Sequence, residues 1–384
     1  MALKVSRRGT VPPFIVMDVM RDANQRQAAG EKVLHLEVGQ PGTPAPGAVL
    51  DAARRALDSH ILGYSDALGI PELRAAIARH YQRRHGLAID PARVAVTAGS
   101  SGGFLLTFLA AFDPGDRVGL ASPGYPAYRN ILEALGLEPV IIQTELAHRF
   151  QPTPELVEAA GPLDGLIIAS PSNPTGTMLS RVEIQGLLAH CDARGIRVIS
   201  DEIYHGISFG QQETCAAEFS PHAIVVNSFS KYFSMTGWRL GWLVLPEDLV
   251  RSVECLSQNL FIAASSLSQL AAVAAFDCEE ELDGYVANYA RNRELIVEAL
   301  PKAGIDRFAL ADGAFYVYAD IGHLTSDSTA FCRRMLHETG VAATPGVDFD
   351  RDRGHRFVRF SFAGPRSDIH EAICLLYTSP SPRD

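Results

Sequence analysis

Three short apolar runs set the tightest limit on what this chain can fold into. Leu166-Ile167-Ile168-Ala169 leads into Ser170-Pro171-Ser172-Asn173-Pro174-Thr175-Gly176. Ile196-Arg197-Val198-Ile199-Ser200 leads into Asp201-Glu202-Ile203-Tyr204, and Ala223-Ile224-Val225-Val226-Asn227 into Ser228-Phe229-Ser230-Lys231. Each run is β-rich and closes on polar residues, and helix-like stretches separate them. That is the pattern of parallel strands in an α/β sheet. Ligands of such sheets bind outside the carboxyl ends of the strands. Asn173, Asp201, Tyr204 and Lys231 are therefore expected to converge.

The third run carries the chemistry. Lys231 sits among small hydroxyl residues, and Arg239 follows in Thr236-Gly237-Trp238-Arg239-Leu240-Gly241. A lysine whose amine can be neutral forms Schiff bases with aldehydes, and arginine offers phosphate a rigid fork of donors. Pyridoxal phosphate needs both, although taken alone such a pair is more often surface charge. Upstream, the strand Val94-Ala95-Val96-Thr97 meets Ala98-Gly99-Ser100-Ser101-Gly102-Gly103 before an apolar helix at Phe104–Phe112. Such a turn presents free amides and hydroxyls at a positive helix end, which suits phosphate. It is also what an ordinary serine-capped strand–helix loop looks like. Asp201 and Asn173 alone are common turn formers, and Tyr125 and Tyr204 alone are common packing residues.

Together the motifs SNPTGT, DEIY, SFSK…TGWRLGW and VRFSFA occur in an order that resembles a known family. From the amino-terminal arm to about Ala363 the chain is similar to the class I/II (aspartate-aminotransferase-like) aminotransferases, pyridoxal-phosphate enzymes of fold type I. The resemblance implies an α/β fold with a mostly parallel seven-stranded sheet in a large domain, plus a smaller α/β domain. It implies transfer of an amino group from an L-amino acid to a 2-oxo acid through a Schiff base on Lys231, which also serves as general base and acid. Gly99, Ser100, Ser101, Ser228 and Arg239 would hold the cofactor phosphate, with Tyr64 reaching it across a homodimer interface. Asp201 would face the pyridine nitrogen, Asn173 and Tyr204 the ring's phenolic oxygen, and Tyr125 would stack on the ring. Arg359, in Val358-Arg359-Phe360-Ser361-Phe362, would clamp the substrate α-carboxylate beside Asn173, with the Gly39 backbone close by.

Composition agrees. A chain of 384 residues exceeds one ordinary domain, and 47% hydrophobic with 20% charged residues fits a large core. The divisions expected are an arm and part of the small domain at 1–45, a large cofactor-binding domain at 46–283 and a small domain at 284–373. A net charge of −10 without a dense basic block argues against a nucleic-acid surface, and no apolar run approaches a membrane span. The cysteines lack CxxC or metal-ligand spacing, so reduced, mostly buried thiols and a cytoplasmic location are expected, with no metal.

Locally, helices are expected near Val16–Ala29, Ala45–Ser59, Pro71–His85, Gly284–Leu300 and Thr329–Glu338, with a strand turning sharply over Leu36–Gly42. The end, Cys374–Asp384, resembles a translated sequencing adapter, and the helix begun at Ser367 is expected to stop at Ile373.

Substrate choice is less firmly written. Some aspartate-preferring relatives carry lysine where Ser101 stands. Pro13, Phe14 and Ile15 fall where the family's arm borders the substrate, so a neutral donor such as alanine, with 2-oxoglutarate as acceptor, is expected. Carbon–sulfur β-elimination on the same fold, or a non-catalytic binding protein, stand as alternatives.

Overall fold

The computed structural model describes residues 3–378. The first half runs α1 (Ile15–Ala28), β1 (Leu34–His35), α2 (Gly47–Ser59), α3 (Pro71–His85), β2 (Val94–Thr97), α4 (Gly99–Ala111), β3 (Arg117–Ser122), α5 (Pro126–Leu135), β4 (Glu138–Gln143), α6 (Pro154–Ala159), β5 (Gly165–Ala169), α7 (Arg181–Arg194) and β6 (Arg197–Asp201). It continues through β7 (Ile224–Ser228), β8 (Gly241–Val244), α8 (Glu247–Leu260), α9 (Ser266–Ala272), α10 (Glu279–Ala299), β9 (Arg307–Phe308), β10 (Tyr316–Asp320), α11 (Ser328–Thr339), β11 (Val341–Ala342), β12 (Thr344–Pro345), β13 (Phe357–Ser361) and α12 (Arg366–Thr378).

Seven strands form the central sheet in the order β2-β8-β7-β6-β5-β3-β4, with β8 antiparallel to both of its neighbours and the others parallel. Side chains alternate between two cores along these strands. Leu166, Ile168, Val198, Val225 and Trp242 pack into one, while Ile167, Ile199, Ile224, Val226 and Leu243 pack into the other. A sheet buried on both faces needs helices on both sides, which is why its strands read as continuous apolar runs.

Helix boundaries follow local chemistry. Pro71 opens α3 at a position that needs no amide donor, and Gly86 closes it in the left-handed conformation. Ser180 and Glu183 make a reciprocal capping box at the start of α7.

A second, four-stranded antiparallel sheet, β12-β13-β10-β9, lies in the carboxyl-terminal part. The arm joins it: β1 pairs with β11, and α1 packs on β11 and β12.

Three local expectations need correction. The strand at the end of the arm is Leu34–His35, and Leu36–Gly42 is an irregular strap anchored by the Leu36 amide on the Ala342 carbonyl. The apolar helix begins at Gly99, not Phe104, so the glycine-serine turn is its first turn. Helix α12 does not stop at Ile373 but continues through Cys374–Thr378, because Leu375 and Leu376 pack onto the main core. Residues 379–384 of the adapter-like end lie outside the described residues.

Four of the six cysteines, Cys191, Cys215, Cys278 and Cys332, are buried, and among the described residues no two cysteines are joined in a disulfide. Among the described residues no helix is long and apolar enough to cross a membrane.

Candidate active site

The carboxyl ends of β5, β6 and β7 open into a cavity of about 530 Å³ whose walls include Asn173, Asp201, Tyr204, Lys231, Arg239 and Arg359. The expected convergence of strand ends is therefore observed. Gly39, Ser100, Ser101, Tyr125 and Tyr128 complete much of the lining, with Phe14, Met17 and Met20 above.

Lys231 and Arg239 meet because β7 and β8 are antiparallel neighbours. Ser228 pairs with Gly241, so the chain between them returns on itself and points both cations at one space. Lys231 Nζ donates to the Gly39 carbonyl at 2.5 Å and lies 5.8 Å from the centre of the Tyr204 ring. Desolvation, helped by the positive charges of Arg359 and Arg239, pulls its ammonium down to about 8, while Asp201 opposes the shift. A lysine so placed is substantially neutral at mildly alkaline pH, which a nucleophilic amine requires.

Asp201 is the last residue of β6 and is buried. Its carboxylate accepts from the Tyr128 hydroxyl and, at 3.1 Å, from the Ile203 amide. Burial pushes its pKa up to about 6 against the lowering effect of these donors and of Lys231. A desolvated carboxylate of this kind is poised to accept a cationic N–H.

Arg359, in the middle of β13, is buried beneath the opposite wall. Its guanidinium donates to Asn173 Oδ1 at 2.8 Å, to the Glu37 carbonyl and to Thr344 Oγ1 at 3.3 Å, while its Nε has no partner. The rings of Tyr316 and Phe349 lie 4.4 and 4.7 Å away. With Asn173 Oδ1 occupied, the amide nitrogen of Asn173 is left as its donor toward the cavity.

The strap 36–42 joins these parts, since Glu37 holds Arg359 and Gly39 holds Lys231. A Cβ on Gly39 would fall 1.8 Å from the Tyr316 hydroxyl, so glycine there is a packing requirement.

At the far end, Ser100 and Ser101 stand in the first turn of α4, whose thirteen residues bring a positive pole to the cavity. Gly99 has a positive φ of 71°, and a Cβ there would meet Arg239 Nη2 at 2.5 Å. The serines, helix amides and Arg239 make an anion cradle. Ser228 is deeper: its hydroxyl donates to the Leu240 carbonyl at 3.0 Å and lies 2.9 Å from Ser230 Oγ, and Ser230 is the serine of this pair that lines the cavity. Tyr64 is 86% exposed and lies outside this subunit's cavity.

The model of the family described as aminotransferase class I and II matches residues 31–375. The valine–pyruvate aminotransferase of Mycobacterium tuberculosis is 55% identical over 375 residues, which cover 96% of this chain and 97% of that protein. A crystal structure of an aminotransferase from Mycobacterium tuberculosis superposes with a TM-score of 0.97 at 53% identity, covering 98% of this chain and 99% of that one. The aspartate aminotransferase of Thermus thermophilus superposes with a TM-score of 0.92 at 30% identity, covering 98% and 99%.

The chain belongs to the class I and II aminotransferase family.

The cavity of this aminotransferase also holds residues that its sequence did not advertise. Tyr128 fixes Asp201 from α5, and Tyr316 shares a 2.7 Å hydrogen bond between its hydroxyl and that of Tyr204. Tyr125, at the amino-terminal cap of α5, meets Phe14 edge-on at 5.6 Å. Of the arm residues expected near the substrate, Phe14 lines the cavity, while Pro13 and Ile15 do not. Met17 and Met20, one helical turn apart on α1, share the wall with it. Their spacing of three was the available signal, but without the position of α1 it had no address.

Proposed function

We propose that this aminotransferase uses pyridoxal phosphate to exchange amino groups between an uncharged aliphatic L-amino acid, valine in the first instance, and pyruvate. The cofactor's three demands fit the residues present. The α4 cradle with Arg239 suits the phosphate, the buried Asp201 a protonated ring nitrogen, and Lys231 the aldehyde. When bound, pyridoxal phosphate carries the amino group and withdraws electrons from the substrate α-carbon.

The chain's own groups do the rest. Lys231 would hold the cofactor's aldehyde end, and its amine, neutral at mildly alkaline pH, would move the α-proton. Tyr204 and Asn173 would offer donors to the cofactor's phenolic oxygen, and Tyr125 would offer its ring an aromatic neighbour. Arg359 turns its guanidinium to the substrate carboxylate, exchanging its present oxygen partners for a bidentate pair.

The observation that carries the reading is the gathering of Lys231, Asp201 and Arg359 around one cavity, with the lysine's pKa lowered to about 8. Substrate class is supported by the wall: Phe14, Val16, Met17, Met20 and Ile203 are apolar. Among the described residues lining the cavity, the cationic side chains are Lys231, Arg239 and Arg359, each with a role already. A second substrate carboxylate finds no spare partner there. Pyruvate therefore suits the site better than the 2-oxoglutarate expected from the sequence, and the name of the 55%-identical relative points the same way.

The working unit is a cytoplasmic homodimer in this reading. An open recess of about 770 Å³ beside Arg239, lined also by Thr43, Trp238 and Ser265, would receive the partner's copy of the loop carrying exposed Ile61 and Tyr64. The free, buried thiols support a reducing compartment.

The test is to incubate cofactor-loaded protein with valine and pyruvate and to quantify alanine and the branched oxo acid. Equal yields of the two products are expected. Aspartate outpacing valine by orders of magnitude would overturn the substrate reading. Pyruvate release from cystathionine without an oxo-acid acceptor would overturn the reaction.

A further inference from the structure

We propose that Asp348 is a positioning residue that latches α1 over the cavity and so sets which substrate side chains are accepted. The inference rests on the reading above that α1 forms the wall facing the substrate side chain.

Asp348 follows β12, in the short turn Gly346–Asp348, and is 3% exposed. Its two carboxylate oxygens each accept one backbone amide from the start of α1: Ile15 N to Oδ1 and Val16 N to Oδ2, both at 3.1 Å. The first amides of a helix have no partner within it, and α1 has no side-chain cap of its own, since its N-cap is Phe14. A carboxylate from a distant part of the chain supplies what the local sequence omits. Its negative charge also suits the positive end of the helix.

The side chains held by this contact are those facing the cavity. Phe14 immediately precedes the two bonded amides and rests on Tyr125, while Met17 and Met20 continue the same wall. The other end of the latch is tied to the carboxylate clamp. β12 pairs with β13 at Thr344↔Arg359 and Pro345↔Val358, and Thr344 Oγ1 touches Arg359 itself. The wall that faces the substrate side chain and the carboxylate clamp are thus joined through β12.

The test compares Asp348→Ala with the wild type on two donors, valine and alanine. Alanine offers the wall only a methyl group, whereas valine offers a larger, branched side chain. For valine, kcat/KM is expected to fall about tenfold, mainly through KM, with alanine falling far less. Equal losses on both donors would mean a merely structural residue and would overturn the proposal.

Ile15→Pro attacks the same latch from the other side. It deletes one donor at the first helical position, where proline is tolerated, and should raise KM for valine about threefold. Added to Asp348→Ala it should do little more, because both changes remove one contact. Hydrogen exchange at the start of α1 is independent of any substrate. Faster exchange there in Asp348→Ala supports the latch, and unchanged exchange refutes it. Should the wild type convert neither donor, the functional reading fails, while the exchange measurement still decides the latch.

Discussion

The floor of the cavity and its roof are built on opposite plans. The floor is made by the ends of β5, β6 and β7 and the loop into β8, so Asn173, Asp201, Tyr204, Lys231 and Arg239 lie within one stretch of chain. The roof joins α1 to the turn after β12, elements at opposite ends of the sequence. The floor's residues are charged or hydrogen-bonded in specific geometries, and the roof's wall is apolar. In the proposed reading, reaction type would depend mainly on a compact, locally encoded region, and selectivity on a contact assembled by the whole fold.

The hardest blow to the floor is Lys231→Ala. In the proposed reaction it would remove the anchoring amine and the proton carrier together, so transamination should fall on the order of 10⁴-fold or more. Borohydride treatment of the variant should leave no label at position 231. Residual activity within about tenfold of the wild type would break the contrast between floor and roof, since no single roof residue is asked to do as much.

That contrast also explains what could be read beforehand. The seven-stranded sheet was legible because strands buried on both faces leave continuous apolar runs, as in Leu166–Ala169 and Ile224–Val226. Lys231 and Asp201 were legible because each stands at or just past the end of such a run. Tyr128 and Tyr316 were not, since a buried tyrosine on a helix or strand looks the same whether or not its hydroxyl serves a site. Asp348 was illegible for a deeper reason: its partners are amides, which every residue but proline possesses. The reach of α12 to Thr378 was missed because Leu375 and Leu376 find their core partners only in three dimensions.

A pH series sharpens the view of the floor. Lys231 is held near 8 chiefly by desolvation, below its ordinary value. Below that pH the folded apoprotein holds a mainly charged amine, and above it a mainly neutral one. Covalent capture of pyridoxal phosphate should accelerate about tenfold per pH unit from pH 6 toward 8 and then level off. Stopped-flow absorbance would follow it, and a rate flat across that interval would contradict an amine titrating near 8.

Tyr128→Phe probes the same region more gently. The tyrosine hydroxyl stabilises the Asp201 carboxylate, so its loss moves that pKa further above about 6. A larger share of Asp201 is then protonated at a given pH, and its grip on a cationic ring weakens. Cofactor affinity should drop about tenfold, more at pH 6 than at pH 8. Equilibrium dialysis at the two pH values would measure it, and a loss independent of pH would point to packing instead.

The smallest effect belongs to the roof. Met17 lines the cavity while 47% exposed, so truncation to alanine opens the wall without gutting a core. Only part of the side chain can touch a bound donor, which limits the loss to about 1 kcal/mol, or roughly fivefold in kcat/KM for valine. The direction matters more than the size. Alanine, with only a methyl group to offer the wall, should be nearly indifferent, while leucine, needing more room, should gain relative to valine. A floor residue is not expected to produce that pattern, because Lys231 and Asp201 would act on atoms common to all three donors. If Met17→Ala lowers the three donors in parallel, selectivity is not decided under α1.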